Sequence, residues 1–373
     1  MILKDQQEKK VYSDGEVTEQ RMLEIAKKYP EDMAQDYIAD CSEYTINNTF
    51  SSVRENILNW YPFKAHATIL EVGAGMGAIT GMLCDRADSV TAIEMSAARA
   101  EVIRARYCNR NNLKIISEDI NNWETVEKFD YIVFIGVLEY AAVFSESKKP
   151  YDEFLISAKR LLNENGKILF AIENRFGLKY WLGASEDHLQ QPFVGIKGYK
   201  EERTPRTFSK KELETILDRV GLVNHRIYSV LPDYKFPELI FSEDCAPDYM
   251  NLKKVSFTYS KNSSLVADEK ELYKDIIDNG VFPFFANSFL VEASVEKLED
   301  RYVVHVSAKG EVYKDFRVNT IMDNTNRVYK IPMHKNARTH INNIVANTEY
   351  LAGRGVAVLA VIREGSSIYS EKY

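Results

Sequence analysis

Ile69-Leu70-Glu71-Val72-Gly73-Ala74-Gly75-Met76-Gly77-Ala78-Ile79-Thr80 decides how this chain is read. A short β-branched run ends in an acid, Glu71, and three glycines follow within five residues. A helix-compatible segment then runs through Cys84. The pattern is strand, tight turn, helix start. Glycine permits positive φ in the turn and lets a ligand lie against bare backbone. A nucleotide-like cofactor is the expected occupant.

Two cofactor classes compete for such a turn. Gly73 to Ala78 formally fits the dinucleotide pattern G-x-G-x-x-G/A, a weak signal alone. Glu94, ending the next apolar run, suits ribose hydroxyls in either class. Glu71 separates them. A dinucleotide brings a pyrophosphate to the helix N-terminus, where a neighbouring carboxylate repels it. S-adenosylmethionine carries an ammonium and a sulfonium, which the same carboxylate attracts.

In this feature the sequence resembles the class I S-adenosylmethionine-dependent methyltransferases, whose first motif reads E/D-x-G-x-G-x-G. Three further motifs follow in order. Glu94 in A-I-E-M-S matches the ribose-binding acid, with Met95 beside it. Asp119, after the run Leu113 to Ile116, stands where an acid accepts from the adenine amino group, with Ile120 against the ring. Gly136-Val137-Leu138-Glu139-Tyr140 resembles the V-L-x-[HY] turn beside the methionine part of the cofactor. The resemblance implies a cofactor site of Glu71, Gly73, Ala74, Gly75, Gly77, Glu94, Met95, Asp119, Ile120, Gly136 and Leu138, with S-adenosylmethionine as cofactor. Singly each has a plain alternative: Glu94 a helix-start acid, Asp119 an N-cap for Asn121 to Val126, Leu138 simple packing.

The chain of 373 residues exceeds one compact core. A net charge of −7, from 48 basic and 55 acidic residues, disfavours a nucleic-acid partner. Cys41, Cys84, Cys108 and Cys245 form no C-x-x-C pair and read as reduced thiols. With no apolar run of membrane-spanning length and no signal-like amino terminus, the expected location is cytoplasmic.

Along the chain, residues 1 to about 17 read as loose. Helices at Thr18 to Lys28 and after Ser51 precede the first strand, where the family commonly has a lid. Strands are expected at 68–72, 90–94, 113–116, 130–135, 167–173 and Val223 to Leu231. Helices fall at 77–85, 96–108, 151–162 (leaving through Asn163-Glu164-Asn165-Gly166) and Lys210 to Val220. Asn287 to Ala293 is a seventh, antiparallel strand. The fold class is α/β: a Rossmann-like seven-stranded sheet with helices on both faces, plus a small α+β carboxyl-terminal region. Ligands then sit at the carboxyl ends of the strands. The boundaries are a helical lid segment, 1–62, a methyltransferase domain, 63–296, and a small domain, 297–373.

Two insertions interrupt the domain, 174–207 and 232–285. The first starts at a central strand's carboxyl end, and a connection this long implies function. It makes His188, its one histidine, the candidate general base, with Glu173 and Tyr140 as rivals. Glu173 has a structural alternative, pairing with Arg175 or Lys179. Arg175, Lys179, Lys197, Lys200, Arg203 and Arg206 make the insertion locally basic, either to grip an anionic acceptor or as a solvated face balanced by Glu201 and Glu202. The phrasing E-N-R-F-G-L-K-Y-W, E-D-H, R-T-F-S and L-P-D-Y-K-F-P, within residues 40 to 295, resembles bacterial methyltransferases of surface-polysaccharide synthesis. That implies O-methylation of a glycan or small-molecule acceptor.

The carboxyl-terminal piece predicts strands at Tyr302 to Val306, Val312 to Met322 and Arg327 to Ile331, a helix from Asn336 to Leu351, and a strand at Val356 to Val361. This order resembles the small lobe of protein-kinase-like phosphotransferases and casts Lys330 as a phosphate-contacting lysine and Glu349 as its partner. No H-x-D-x-x-x-x-N or D-F-G occurs. The rival readings are therefore part of a two-function methyltransferase and kinase that caps glycans, or a scaffold that has lost transfer. No metal ligand set is expected.

Overall fold

The structure is a computed structural model describing residues 2–6, 9–31, 44–257, 259, 263–308 and 316–371. Cys41, and the start of the strand expected from Val312, lie outside the described residues. The strands in chain order are β1 (Ile2–Gln6), β2 (Lys9–Ser13), β3 (Thr68–Val72), β4 (Ser89–Ile93), β5 (Leu113–Ile116), β6 (Phe129–Ile135) and β7 (Leu162–Glu173). They continue with β8 (Asn224–Leu231), β9 (Leu239–Phe241), β10 (Ser288–Ser294), β11 (Val303–Ser307), β12 (Val318–Asp323), β13 (Arg327–Pro332), β14 (Ile362–Glu364) and β15 (Ser367–Glu371).

Alternation along the central strands explains the layers. In β6, Ile132 and Phe134 point to one face and Tyr131 and Val133 to the other. In β7, Ile168, Phe170 and Ile172 oppose Leu169 and Ala171 in the same way. The first face packs on helices Pro150–Lys159 and Lys210–Arg219 through Phe154, Leu155, Leu213, Ile216 and Leu217. The second packs on Ile57, Leu58, Trp60 and Tyr61 and on Met82 and Leu83 of helix Thr80–Arg86. Each fully buried side chain of this size contributes about 1.5–3 kcal/mol. Parallel strands joined by crossover helices are covered on both faces, and β5-β4-β3-β6-β7 are parallel throughout. β10 inserts antiparallel between β7 and β8, completing a seven-strand core in the order β5-β4-β3-β6-β7-β10-β8.

Several expectations need correction. The amino terminus forms the antiparallel hairpin β1-β2 rather than a loose segment. Asn163 to Gly166 belong to β7, where a register shift in the β6 pairing accommodates Asn165 at φ 59. Asp119 caps no helix; its Oδ1 accepts from the Asn121 backbone N–H at 2.9 Å in a turn. The sheet continues past its seventh strand, because β9, missed in the second insertion, pairs with β8 and β11. Among the described residues thirteen strands form one sheet, ending in β12, β13, β15 and β14. Residues 356–360 are exposed and Val361 half-buried, and they form no strand, because β15 occupies the edge of β13 and turns at Gly365, φ 58, to meet β14.

Lys330 on β13 donates to Thr320 Oγ1 at 2.9 Å, and Glu349 in helix Arg338–Ala352 is exposed. Among the described residues no helix is long and apolar enough to cross a membrane.

Candidate active site

The carboxyl ends of β3, β4, β5 and β6 open onto one cavity of about 750 Å³. One of its walls is the glycine turn. Gly73, Gly75 and Gly77 take φ of 65°, 61° and 80°, the left-handed region that disfavours side chains. Gly73 N–H donates to Ile93 O at 2.8 Å, which anchors the turn to β4. Gly75 N–H donates to Glu94 Oε2 at 2.8 Å, while Glu94 Oε1 accepts from Ser96 N–H at 2.9 Å. The N–H that would meet a pyrophosphate is thus already held by a carboxylate. A carboxylate has four lone-pair positions, so Glu94 can also accept from ribose hydroxyls.

Glu71 is buried beneath the turn, and its Oε2 accepts from the Thr80 hydroxyl at 2.6 Å. Burial pushes its pKa up to about 8 and Glu94 adds to this, against the Thr80 bond and Arg106. Burial thus favours the protonated carboxyl, and an arriving cation favours its ionisation.

Glu71, Gly73, Ala74, Gly75, Glu94, Met95, Asp119, Ile120 and Gly136 line the cavity. Gly77 and Leu138 do not: a Cβ on Gly77 would lie 2.9 Å from the Tyr107 ring, and Leu138 packs in the core under the helices.

Facing the turn across the cavity is a buried polar cluster. Tyr140 OH and His188 Nδ1 are 3.0 Å apart, and His188 Nε2 lies 3.4 Å from Glu173 Oε2. Glu173 lies behind the cavity wall, fully buried, and its Oε1 accepts from Lys235 Nζ. This corrects the expected pairing with Arg175 or Lys179. Arg175 bonds Glu212 at 2.8 Å, and Lys179 bonds Asp187 at 2.9 Å and Asp233 at 3.0 Å. Arg203 pairs with Glu146 and Arg206 with Glu212, so much of the insertion's positive charge is neutralised within the fold, by acids other than Glu201 and Glu202.

Burial alone would raise Glu173, but Lys235 and His188 hold it below the usual carboxylate range. Burial would lower His188, yet Glu173, then Glu139 and Glu186, raise it to about 9. These acids favour the protonated ring, so the imidazole holds a proton strongly once it has taken one. Glu139, raised chiefly by burial and then by Glu173, lines the cavity with both carboxyl oxygens buried and, among the described residues, hydrogen-bonded by no other residue.

Glu139, Asp187, Asp233 and Lys235 escaped the sequence reading as site residues. A charge inside the apolar run Val137-Leu138-Glu139, and charges between two prolines in L-P-D-Y-K-F-P, were the available signals.

A profile of the family described as Ribosomal RNA adenine dimethylase matches residues 42–163, less than half of the chain. The chain is similar to Ribosomal RNA small subunit methyltransferase A of Mycoplasma capricolum, 25% identical over 224 residues, 58% of this chain and 77% of that one. The protein of that name in Mycoplasma mycoides is 24% identical over 189 residues, 50% of this chain and 64% of that one, so the chain spans less than two thirds of its length. Among solved structures, a SAM-dependent methyltransferase from Thermotoga maritima is 14% identical, with a TM-score of 0.40, covering 74% of this chain and 100% of that one. The strand order and the glycine turn, with the family match over residues 42–163, give the chain the Rossmann-like fold of the class I S-adenosylmethionine-dependent methyltransferases, with S-adenosylmethionine as its cofactor.

Proposed function

We propose that the chain transfers the methyl group of S-adenosylmethionine to a hydroxyl of a small polyhydroxylated acceptor, a sugar of a surface glycan or its precursor. The supporting observation is the cluster of Tyr140, His188 and Glu173 across one cavity from the glycine turn. Tyr44, Tyr234 and Phe236 share that cavity with Asp187, Asp233 and Lys179. Aromatic faces beside charged hydrogen-bonding groups suit a ring with C–H faces and hydroxyl edges.

The sulfonium already activates the methyl group. The acceptor oxygen attacks the methyl carbon, the S–CH₃ bond breaks, and S-adenosylhomocysteine leaves. The hydroxyl proton passes to His188 in its neutral form, and Glu173 stabilises the imidazolium that results. Positioning the acceptor in line supplies on the order of 7–11 kcal/mol.

The ribosomal RNA relatives point to another acceptor, but the family profile itself matches only residues 42–163, and the relatives are about 25% identical or less over the longer alignments. A net charge of −7 also works against a polyanion. Phosphate transfer lies outside the proposal, since Lys330 is engaged with Thr320.

The test is to incubate the protein with methyl-labelled cofactor and, separately, glycan precursors, small amines and ribosomal RNA. Label on a carbohydrate hydroxyl supports the proposal; label on RNA adenine or on an amine alone overturns it.

A further inference from the structure

Two acid clusters border the acceptor half of the cavity, and the neighbouring lysines treat them differently. In one, Glu173, Asp187 and Asp233 surround Lys179 and Lys235, whose ammonium groups already supply the positive charge. In the other, Glu139, Glu173 and His188 each offer one ligand atom, all within 4.8 Å of one another. Among the described residues no lysine is bonded to Glu139. Its side chain is fully buried and lines the cavity, and among the described residues no other residue hydrogen-bonds either oxygen. A buried carboxyl group without partners is costly, and such exceptions call for a missing ligand.

We propose that Glu139, Glu173 and His188 form a binding site for one divalent first-row metal ion, Mn²⁺ or Zn²⁺, open to the acceptor cavity. The His188 Nε2 to Glu173 Oε2 distance of 3.4 Å is long for a charge-assisted hydrogen bond. It matches two ligands around one ion: bonds of about 2.1 Å at 90–109° place ligand atoms roughly 3.0–3.4 Å apart. Lys235 occupies Glu173 Oε1 and leaves Oε2 for the ion. Tyr140 OH lies 3.0 Å from His188 Nδ1. Accepting from Nδ1–H, it keeps that proton in place, so that an arriving ion displaces the Nε2 proton and takes the lone pair facing the carboxylates, the usual support for a ligating histidine.

Two carboxylates and an imidazole are a hard-to-borderline donor set. They suit Mn²⁺ or Zn²⁺ better than thiol-seeking Cu(I) or Ca²⁺, which wants six to eight oxygens. Only three protein ligands leave coordination positions for a hydroxyl of the acceptor. That role rests on the hydroxyl-methylation reading above; the binding of the ion does not.

The test is titration of chelator-stripped full-length protein with MnCl₂, followed by the loss of the free Mn²⁺ paramagnetic resonance signal and by calorimetry. ZnCl₂ serves as a second probe, and S-adenosylmethionine is titrated in parallel. The expected result is one ion per chain, weakened about tenfold or more in Glu139→Gln and in Tyr140→Phe, and retained in Asp187→Asn. Intact cofactor binding and unchanged thermal melts show that the variants are folded. Absence of saturable wild-type binding by either ion overturns the metal site, and so does equal binding by wild type and Glu139→Gln. Cofactor binding without metal binding leaves the transferase reading standing; label on RNA in the transfer assay sinks that reading and leaves the metal site.

Discussion

Glu71 shows how one buried side chain ties cofactor choice to pH. Burial raises its pKa to about 8 in the empty protein. A folded-state value above the unfolded one means the folded chain binds more protons between the ordinary carboxylate range and about 8. The empty protein should therefore lose stability as pH rises through that window. A bound ammonium or sulfonium favours the ionised form, so binding expels the proton. Cofactor affinity should rise with pH up to about 8, by at most tenfold per unit, and then level off. Glu71→Gln should bind more weakly and without that slope. Calorimetry at pH 6.5, 7.5 and 8.5 reads both; an equal slope in the variant would assign the proton to another group. His188→Gln should lower kcat with little change in cofactor affinity, as a stopped assay with labelled cofactor would show; an unchanged kcat removes His188 from the transfer step. The residues of the glycine turn were legible because adjacent positions in sequence build it. Glu139, Asp233 and Lys235 meet only through the fold, and a charged residue in an apolar run reads locally as noise.

At the scale of single elements, helix Lys210–Arg219 illustrates what local chemistry determines. Ser209 Oγ accepts from Glu212 N–H at 3.3 Å and Glu212 Oε2 accepts from Ser209 N–H at 2.8 Å, a reciprocal cap. Leu213, Ile216 and Leu217 then face the sheet. Ser209→Ala should cost about 1 kcal/mol, a melting shift of roughly 1–2 °C with cofactor affinity unchanged; no measurable shift would mean the cap is redundant with packing. Periodicity and caps placed this helix and the parallel strands within a few residues. Three-residue β9 carries too short a pattern for either signal, and residues 356–361 have strand composition but no free edge, since β15 takes it.

Across the whole molecule, distant chain segments lock onto the same sheet. Arg317, 2% exposed just before β12, donates to Ser52 O and Asn56 Oδ1, both at 3.0 Å. Asn319 Nδ2 donates to Asn59 Oδ1 at 2.8 Å. The carboxyl-terminal strands are thereby bonded to the segment that leads into β3, a tie that no local pattern foretells. Arg317→Ala should destabilise the protein by roughly 2 kcal/mol or more through the buried acceptors it strands, seen as a lower denaturant midpoint; an unchanged midpoint would show that water replaces the guanidinium.

The central claim is that two acids at a glycine turn select a cationic sulfur cofactor over a phosphate-bearing one. Competitive calorimetry of the wild-type protein with S-adenosylmethionine and NAD tests it most directly. One S-adenosylmethionine per chain, undisturbed by excess NAD, is the predicted result; NAD seated at the turn with S-adenosylmethionine excluded would contradict it.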